Sequence, residues 1–109
     1  MSVIVESYGT RLRFIVRRAT GSAVDFTTAT GVSVDVRWPK LTPSPSEAYE
    51  VRSWTATLDV QSASLAYVRY TTLDGDVPRV GVYSVAIQLA TPDGPISCEP
   101  AQLPVIDRF

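Results

Sequence analysis

The chain has 109 residues and a mass of 11.9 kDa, enough for one domain, and 45% of its residues are apolar, as expected of a folded protein. Its formal net charge is -1 and its isoelectric point is near 5.2, so overall charge does not favour a nucleic acid or a membrane as a partner. The sequence has no histidine and one cysteine, Cys98, which excludes a histidine-based triad, an imidazole metal site and an internal disulfide. We therefore expect a non-enzymatic single domain over residues 1–109, with short tails at 1–2 and 107–109 and no cofactor or metal.

The N-terminal residues do not look like a targeting segment. Residues 1–5 are largely apolar and Glu6 ends that run, which makes it too short for a secretory signal. No other run approaches the roughly 20 apolar residues of a membrane-spanning helix. We expect synthesis in the cytoplasm and no membrane partner.

Two segments of the N-terminal half alternate between apolar and polar side chains. A period of two is typical of a strand with one buried face in an antiparallel sheet. The apolar positions of the two segments are Leu12, Phe14 and Val16, followed by Val32, Val34, Val36 and Trp38. A turn is predicted between them at residues 20–22.

The middle of the chain is harder to assign. The proline-rich residues 39–45 predict a loop. Residues 47–60 fit an amphipathic helix through Val51, Trp54 and Leu58, but Trp54 to Val60 also alternates, and the threonines favour a strand. We predict a strand here and a turn at 61–64.

Near the C-terminus, Tyr83, Val85, Ile87 and Leu89 repeat the strand pattern. The turn residues Pro92, Asp93 and Gly94 follow, which predicts a hairpin between residues 82–90 and 96–100. In total we expect an all-β fold, an antiparallel β-sandwich of about seven or eight strands, and the motif described next makes the expected sandwich immunoglobulin-like.

Residues 76–85 contain a loop aspartate followed by a Gly-x-Tyr strand start, formed by Gly81 and Tyr83. In immunoglobulin-like domains such a tyrosine bonds back to the loop backbone and forms a tyrosine corner. Val85 then stands where a second cysteine would lie, and Trp38 is the candidate core tryptophan of the opposite sheet. An ordinary buried tyrosine beside a turn is the alternative.

Nine of the ten basic residues are arginines. Arginine suits contacts with a partner because its planar fork binds bidentately and loses its water readily, although a coding bias explains the composition equally well. The candidate interface residues are Arg11, Arg13, Arg17, Arg37, Arg69 and Phe109.

Two further groups could carry chemistry. Asp74, Asp76 and Asp93 lie in turns without the spacing of a calcium loop, so solvated carboxylates are the better interpretation. Aromatic rings near arginines could stack on a sugar or fill the core. The candidate platform rings are Trp54, Tyr67 and Tyr70, and they define the alternative function, a carbohydrate-binding β-sandwich module.

The order of the segments 12–16, 21–27, 32–36, 66–72, 76–83 and 89–94 resembles the immunoglobulin-like N-terminal domain of phage baseplate upper proteins and related small phage virion proteins. In that family a V-D-L-T step precedes a strand, and a p-G-x-Y strand start leads to a P-D-G hairpin. Here Val24-Asp25-Phe26-Thr27 stands in the first position, and residues 78–83 carry an insertion in the second.

The resemblance implies a structural role in a virion. The chain would dock as an adaptor or decorating domain in the tail, baseplate or head–tail neck, with other virion proteins as partners and a symmetric homo-oligomeric ring as its assembly. The apolar segments 1–5 and 103–106 could add to the sheet of a neighbour.

Overall fold

The computed structural model describes residues 3–19, 24–40 and 49–107, and all structural statements concern these ranges. They contain nine strands and one turn of 3-10 helix at Phe26–Thr28. The strands are β1 (Val3–Ile4), β2 (Arg11–Ile15), β3 (Gly31–Arg37), β4 (Val51–Trp54), β5 (Thr57–Val60), β6 (Ala66–Thr71), β7 (Gly81–Thr91), β8 (Gly94–Ser97) and β9 (Ala101–Ile106). The turn predicted at 20–22 and most of the proline-rich loop lie outside the described residues.

The strands form two sheets that share one apolar core, so the predicted all-β, sandwich-like arrangement is confirmed. The six-stranded sheet has the order β1-β9-β7-β3-β4, with β8 also paired to β7, and the three-stranded sheet has the order β2-β6-β5. The expectation of a purely antiparallel fold is wrong at one place, because Val3 and Ile4 pair in parallel with Val105 and Ile106. The nine strands of the described residues also exceed the seven or eight expected.

The centre of the six-stranded sheet is the long pairing of β3 with β7. Val34 lies opposite Ile87, and Val36 lies opposite Val85. All four side chains are at most 3% exposed, whereas their polar neighbours along β3 face outward. The period-two pattern of the sequence therefore produces one buried face, since successive side chains of a strand point to opposite sides.

Within the ambiguous segment, residues 51–60 are extended, as predicted, but they form two strands in two different sheets. Strand β4 pairs with β3, and β5 pairs with β6. The chain crosses from one sheet to the other at Thr55 and Ala56. Trp54, on the first side of this crossing, is 4% exposed and belongs to the shared core.

The predicted hairpin at residues 92–94 is confirmed. Strands β7 and β8 pair from Gln88 opposite Ser97 to Thr91 opposite Gly94. Gly94 has a φ of 115°, in the region that glycine adopts at least cost, and the Thr91 hydroxyl donates to its carbonyl over 2.7 Å. The chain then returns as β9 and pairs with the first half of β7.

Candidate interaction surface

The side chain of Tyr83 fastens the loop before β7 to the core. Tyr83 is fully buried, and its hydroxyl donates to the carbonyl of Arg79 and accepts from the Arg79 N–H, both over 2.8 Å. Burial raises the pKa of this hydroxyl, so it stays protonated and able to donate. These two bonds hold the loop backbone at Arg79, four residues before Tyr83, against the tyrosine hydroxyl.

Position 81 needs a glycine for two reasons, its backbone conformation and the lack of space for a side chain. Its φ is 142°, and a Cβ atom at this position would lie 2.9 Å from Pro39. The guanidinium of Arg79 donates to the Pro39 carbonyl over 3.0 Å, which ties the same loop to the end of β3. The close approach of these two segments therefore depends on the missing side chain.

The expected role of Trp38 needs correction. Trp38 follows β3, which pairs directly with β7, so it lies on the same sheet as Tyr83 and Val85 and not on the opposite one. It is half-buried, with the guanidinium of Arg52 at 4.8 Å from its ring. Strand β3 ends at Arg37, so Trp38 lies just beyond the end of the strand, at the border of the sheet and not at the centre of the core.

The tryptophan that bridges the two sheets is Trp54. Its ring stacks on that of Tyr70, with centroids 4.4 Å apart and an angle of 12° between the planes. Trp54 is on β4 in the six-stranded sheet, and Tyr70 is on β6 in the three-stranded sheet. The sequence pattern identified both rings as candidates for a sugar platform, but the burial of Trp54 leaves its ring without an exposed face.

Asp76 has a structural contact that the sequence did not indicate. Its carboxylate accepts from the Tyr70 hydroxyl over 2.6 Å and from the N–H of Leu73 over 2.7 Å. Burial first, and the neighbouring carboxylate second, raise the pKa of the Tyr70 hydroxyl. The loop between β6 and β7 is therefore fastened by one tyrosine from each sheet.

Three of the predicted interface arginines lie together on the outer face of the three-stranded sheet. Arg13 lies directly opposite Arg69 in the β2–β6 register, and Arg11 is two residues from Arg13 on the same face. The guanidinium of Arg13 lies 4.5 Å from the centre of the Tyr67 ring, and Arg69 forms an ion pair with Asp59. We call this surface, formed by Arg11, Arg13, Ile15, Tyr67 and Arg69, the arginine face.

The other predicted interface residues are placed differently. Arg17 continues beyond β2, and its carbonyl accepts from the N–H of Glu99 over 2.8 Å. Arg37 is on the outer face of the six-stranded sheet, with its guanidinium 4.3 Å from the centre of the Tyr49 ring. Phe109 lies outside the described residues. The predicted interface residues therefore do not form one continuous surface.

A cleft that no sequence pattern indicated runs beside the arginine face. It has a volume of about 520 Å³. One wall is formed by Arg13, Ile15 and Arg17, and the other wall comes from the segment leading into β9 and from β9 itself. Such a cleft could be found only from the tertiary structure, because its walls come from the two ends of the chain.

The cysteine and the acidic residues considered in the sequence do not form a reactive or metal-binding cluster in the described part of the chain. Cys98 is a buried thiol whose pKa is raised by its burial. Within residues 3–19, 24–40 and 49–107, no three acidic or cysteine side chains come together as a metal site would require. The same part of the chain contains no helix long and apolar enough to span a membrane.

The two apolar segments that were expected to add to the sheet of a neighbour form strands within this chain. Val3–Ile4 forms β1 and residues 103–106 belong to β9, and these two strands pair with each other. Comparison with protein-family models, with curated proteins and with solved structures yields no match for this chain.

Proposed function

We propose that this chain is a non-enzymatic structural subunit of a bacteriophage virion, folded as an immunoglobulin-like β-sandwich and docked as an adaptor or decorating domain in the tail, baseplate or head–tail neck. Its partners are other virion proteins and further copies of itself. The observation that supports the proposal is a two-sheet sandwich in which the Tyr83 hydroxyl bonds to the loop backbone before β7.

The order of the strands supports the immunoglobulin-like part of the proposal. In that fold, strands B, E and D share one sheet and strands C, F and G share the other. Here β2, β6 and β5 take the first set of places, and β3, β7 and β9 take the second. Tyr83 lies near the start of β7, the strand in the place of F, and bonds the loop backbone upstream, as in a tyrosine corner.

Three of the motif segments support the resemblance because each has a definite local structure in this chain. Asp25 caps the 3-10 turn that leads into β3, with its carboxylate accepting from the N–H of Thr27 over 2.9 Å. Asp76 organises the loop before the Tyr83 strand, and Pro92 and Asp93 form the turn of the β7–β8 hairpin. Each motif therefore has a local structural use within this chain.

The surface suits a docking role. The arginine face presents side chains that can make bidentate contacts with a partner, and Ile15 adds apolar area with 48% of its surface exposed. In a symmetric assembly every subunit uses the same surface patch to contact its neighbour, and a surface such as the arginine face suits that use.

Mass spectrometry of the particles of the phage that encodes this chain tests the proposal. We expect the chain in gradient-purified particles, in fixed proportion to the major structural proteins. A non-structural phage protein from the same lysate is the control for carry-over, and it should be removed by the same purification. Purified particles that contain no copy of the chain would overturn the proposal.

A further inference from the structure

Strand β2 is an edge strand whose second edge has no strand partner among the described residues. Just beyond Ile15 the same edge is closed, because Arg17 pairs with Glu99 in an isolated antiparallel bridge. The first edge of β2 pairs with β6. The N–H of Thr72 donates to the carbonyl of Thr10, and the N–H of Val16 donates to the carbonyl of Ala66, both over 2.9 Å. Because hydrogen-bonded positions alternate in an antiparallel pair, the backbone groups of Arg11, Arg13 and Ile15 point away from β6.

The chain uses its own N-terminal strand elsewhere. Strand β1 precedes β2 and pairs with β9 in the six-stranded sheet. The outward edge of β2 therefore borders the cleft of about 520 Å³ described above, with Pro100, Gln102 and Pro104 across from it. A strand added to β2 would enter this cleft. An unpaired edge of this kind is a template for strand addition.

The side chains of β2 alternate between the buried face and the exposed face of the sheet. Leu12 and Phe14 are buried in the core, whereas Arg11, Arg13 and Ile15 are exposed. Arg69, on the neighbouring strand, is paired with Asp59, but in the described part of the chain no carboxylate forms an ion pair with Arg11 or Arg13. The edge therefore presents two arginines outside any described ion pair, followed by an apolar side chain, all on one face, and Glu99 lines the far end of the same cleft.

We propose that the outward edge of β2 binds an extended segment of a partner protein as an added antiparallel strand, with acidic residues opposite Arg13 and Arg11 and an apolar residue opposite Ile15. Antiparallel pairing reverses the order, so the segment reads apolar–x–acidic–x–acidic from its N-terminus. The two intervening positions face the core side of the sheet and are apolar. This assignment stands on the edge geometry and its charge, and it holds or fails independently of a virion role.

The first experiment measures binding of a labelled synthetic peptide, Thr-Ile-Val-Glu-Val-Glu-Thr, to the intact chain by fluorescence anisotropy. The matched control peptide has lysine in place of both glutamates. We expect the glutamate peptide to bind more tightly by on the order of tenfold at low salt, because directly opposite charges attract in one complex and repel in the other. Equal affinities, or no binding of the glutamate peptide up to about 1 mM, would overturn the proposal.

The second experiment tests strand addition with the protein unchanged. N-methylation at the isoleucine and both glutamates removes the N–H groups that face β2, whereas N-methylation at the two valines removes groups that face away. We expect the first peptide to lose binding and the second to retain most of it. Binding retained by the first peptide would show a side-chain contact without strand pairing, and an equal loss for both peptides would show no specific use of the N–H groups that face β2; either result would overturn the proposal.

Charge reversal on the protein completes the test. The double variant Arg11→Glu with Arg13→Glu should prefer the lysine peptide, whereas Arg37→Glu, an exposed strand position on the other sheet, should behave as the original chain. All three positions are exposed, so the free energy of unfolding in urea should differ between the Arg37 control and the original chain by no more than about half a kilocalorie per mole.

Sedimentation of the chain alone is also required. Self-association that the double variant abolishes would assign the edge to a second copy and overturn the assignment to a partner protein.

Discussion

The two sheets of this protein share one core and differ sharply on their outer faces. The three-stranded sheet exposes the arginine face, with Arg13 directly opposite Arg69. The long strand β7 of the six-stranded sheet turns Ser84, Ala86 and Gln88 outward, and the neighbouring strand β3 adds Asp35 and Arg37, one charge of each sign, to the same face. Burial of apolar residues therefore specifies one face of each strand, whereas the composition of the outer face is not fixed by that burial.

The largest expected effect lies where the two sheets meet. We expect Trp54→Ala to lower the free energy of unfolding by about 3–5 kcal/mol, because it removes a buried ring that stacks on Tyr70 and leaves a cavity. The matched control is Trp38→Ala, which removes a half-buried ring that stays within one sheet. Urea unfolding of both variants measures the difference. A loss at Trp38 as large as that at Trp54 would contradict the assignment of Trp54 as the bridge between the sheets.

The next effect compares the two tyrosines that fasten the β6–β7 loop. We expect Tyr83→Phe to cost about 1–3 kcal/mol, because both backbone groups of Arg79 lose their partner at a buried site. Tyr70→Phe should cost less, since the Asp76 carboxylate keeps its bond from the N–H of Leu73 and is partly accessible to water. Equal losses in urea unfolding would show that the six-stranded sheet does not hold the loop more firmly than the three-stranded sheet.

The smallest effect concerns the connection from the three-stranded sheet to the six-stranded sheet, where Asp25 caps the turn before β3. Hydrogen bonds from the hydroxyl and the N–H of Thr27 hold the pKa of this carboxyl below its usual value of 3.8. A lowered pKa contributes stability above pH 3.8, and this contribution is lost as the pH falls through the value in the folded protein. We therefore expect Asp25→Ala to destabilise the chain more at about pH 7 than at about pH 2.5.

The control for this pH dependence is Asp25→Asn, which keeps an acceptor oxygen at every pH. The difference in unfolding free energy between the asparagine and alanine variants should be the same at both pH values. A difference between the original chain and the alanine variant that does not change with pH would contradict the role assigned to the ionised carboxylate.

Local pattern was enough to predict most of the strands, because the alternation in 32–38 and 82–90 reflects one buried face directly. The same pattern failed to show that residues 51–60 belong to two sheets. Trp54, Ala56 and Leu58 alternate without interruption across the crossing at Thr55 and Ala56. Alternation reports which side chains face the core, and in a sandwich both sheets face the same core.

The interface residues show the same limit. Period two was sufficient to predict that Arg11 and Arg13 face outward, but the grouping of Arg69 with them and the separation of Arg37 from them depend on which strands pair. The mistaken place of Trp38 has the same origin, because the pairing of β3 with β7 joins residues about fifty positions apart. Strand pairing is decided by contacts between distant segments, which no local pattern records.

The composition that excluded a histidine triad, an imidazole site and a disulfide, and the alternation that predicted an all-β chain, were properties of the sequence alone. The tertiary structure alone decided that β1 pairs with β9 and leaves the outward edge of β2 beside a cleft. The physical reason is that every residue type except proline offers the same backbone N–H and C=O groups. A sequence therefore determines which side chains are buried, whereas the packing of the whole chain determines which strand edge stays open.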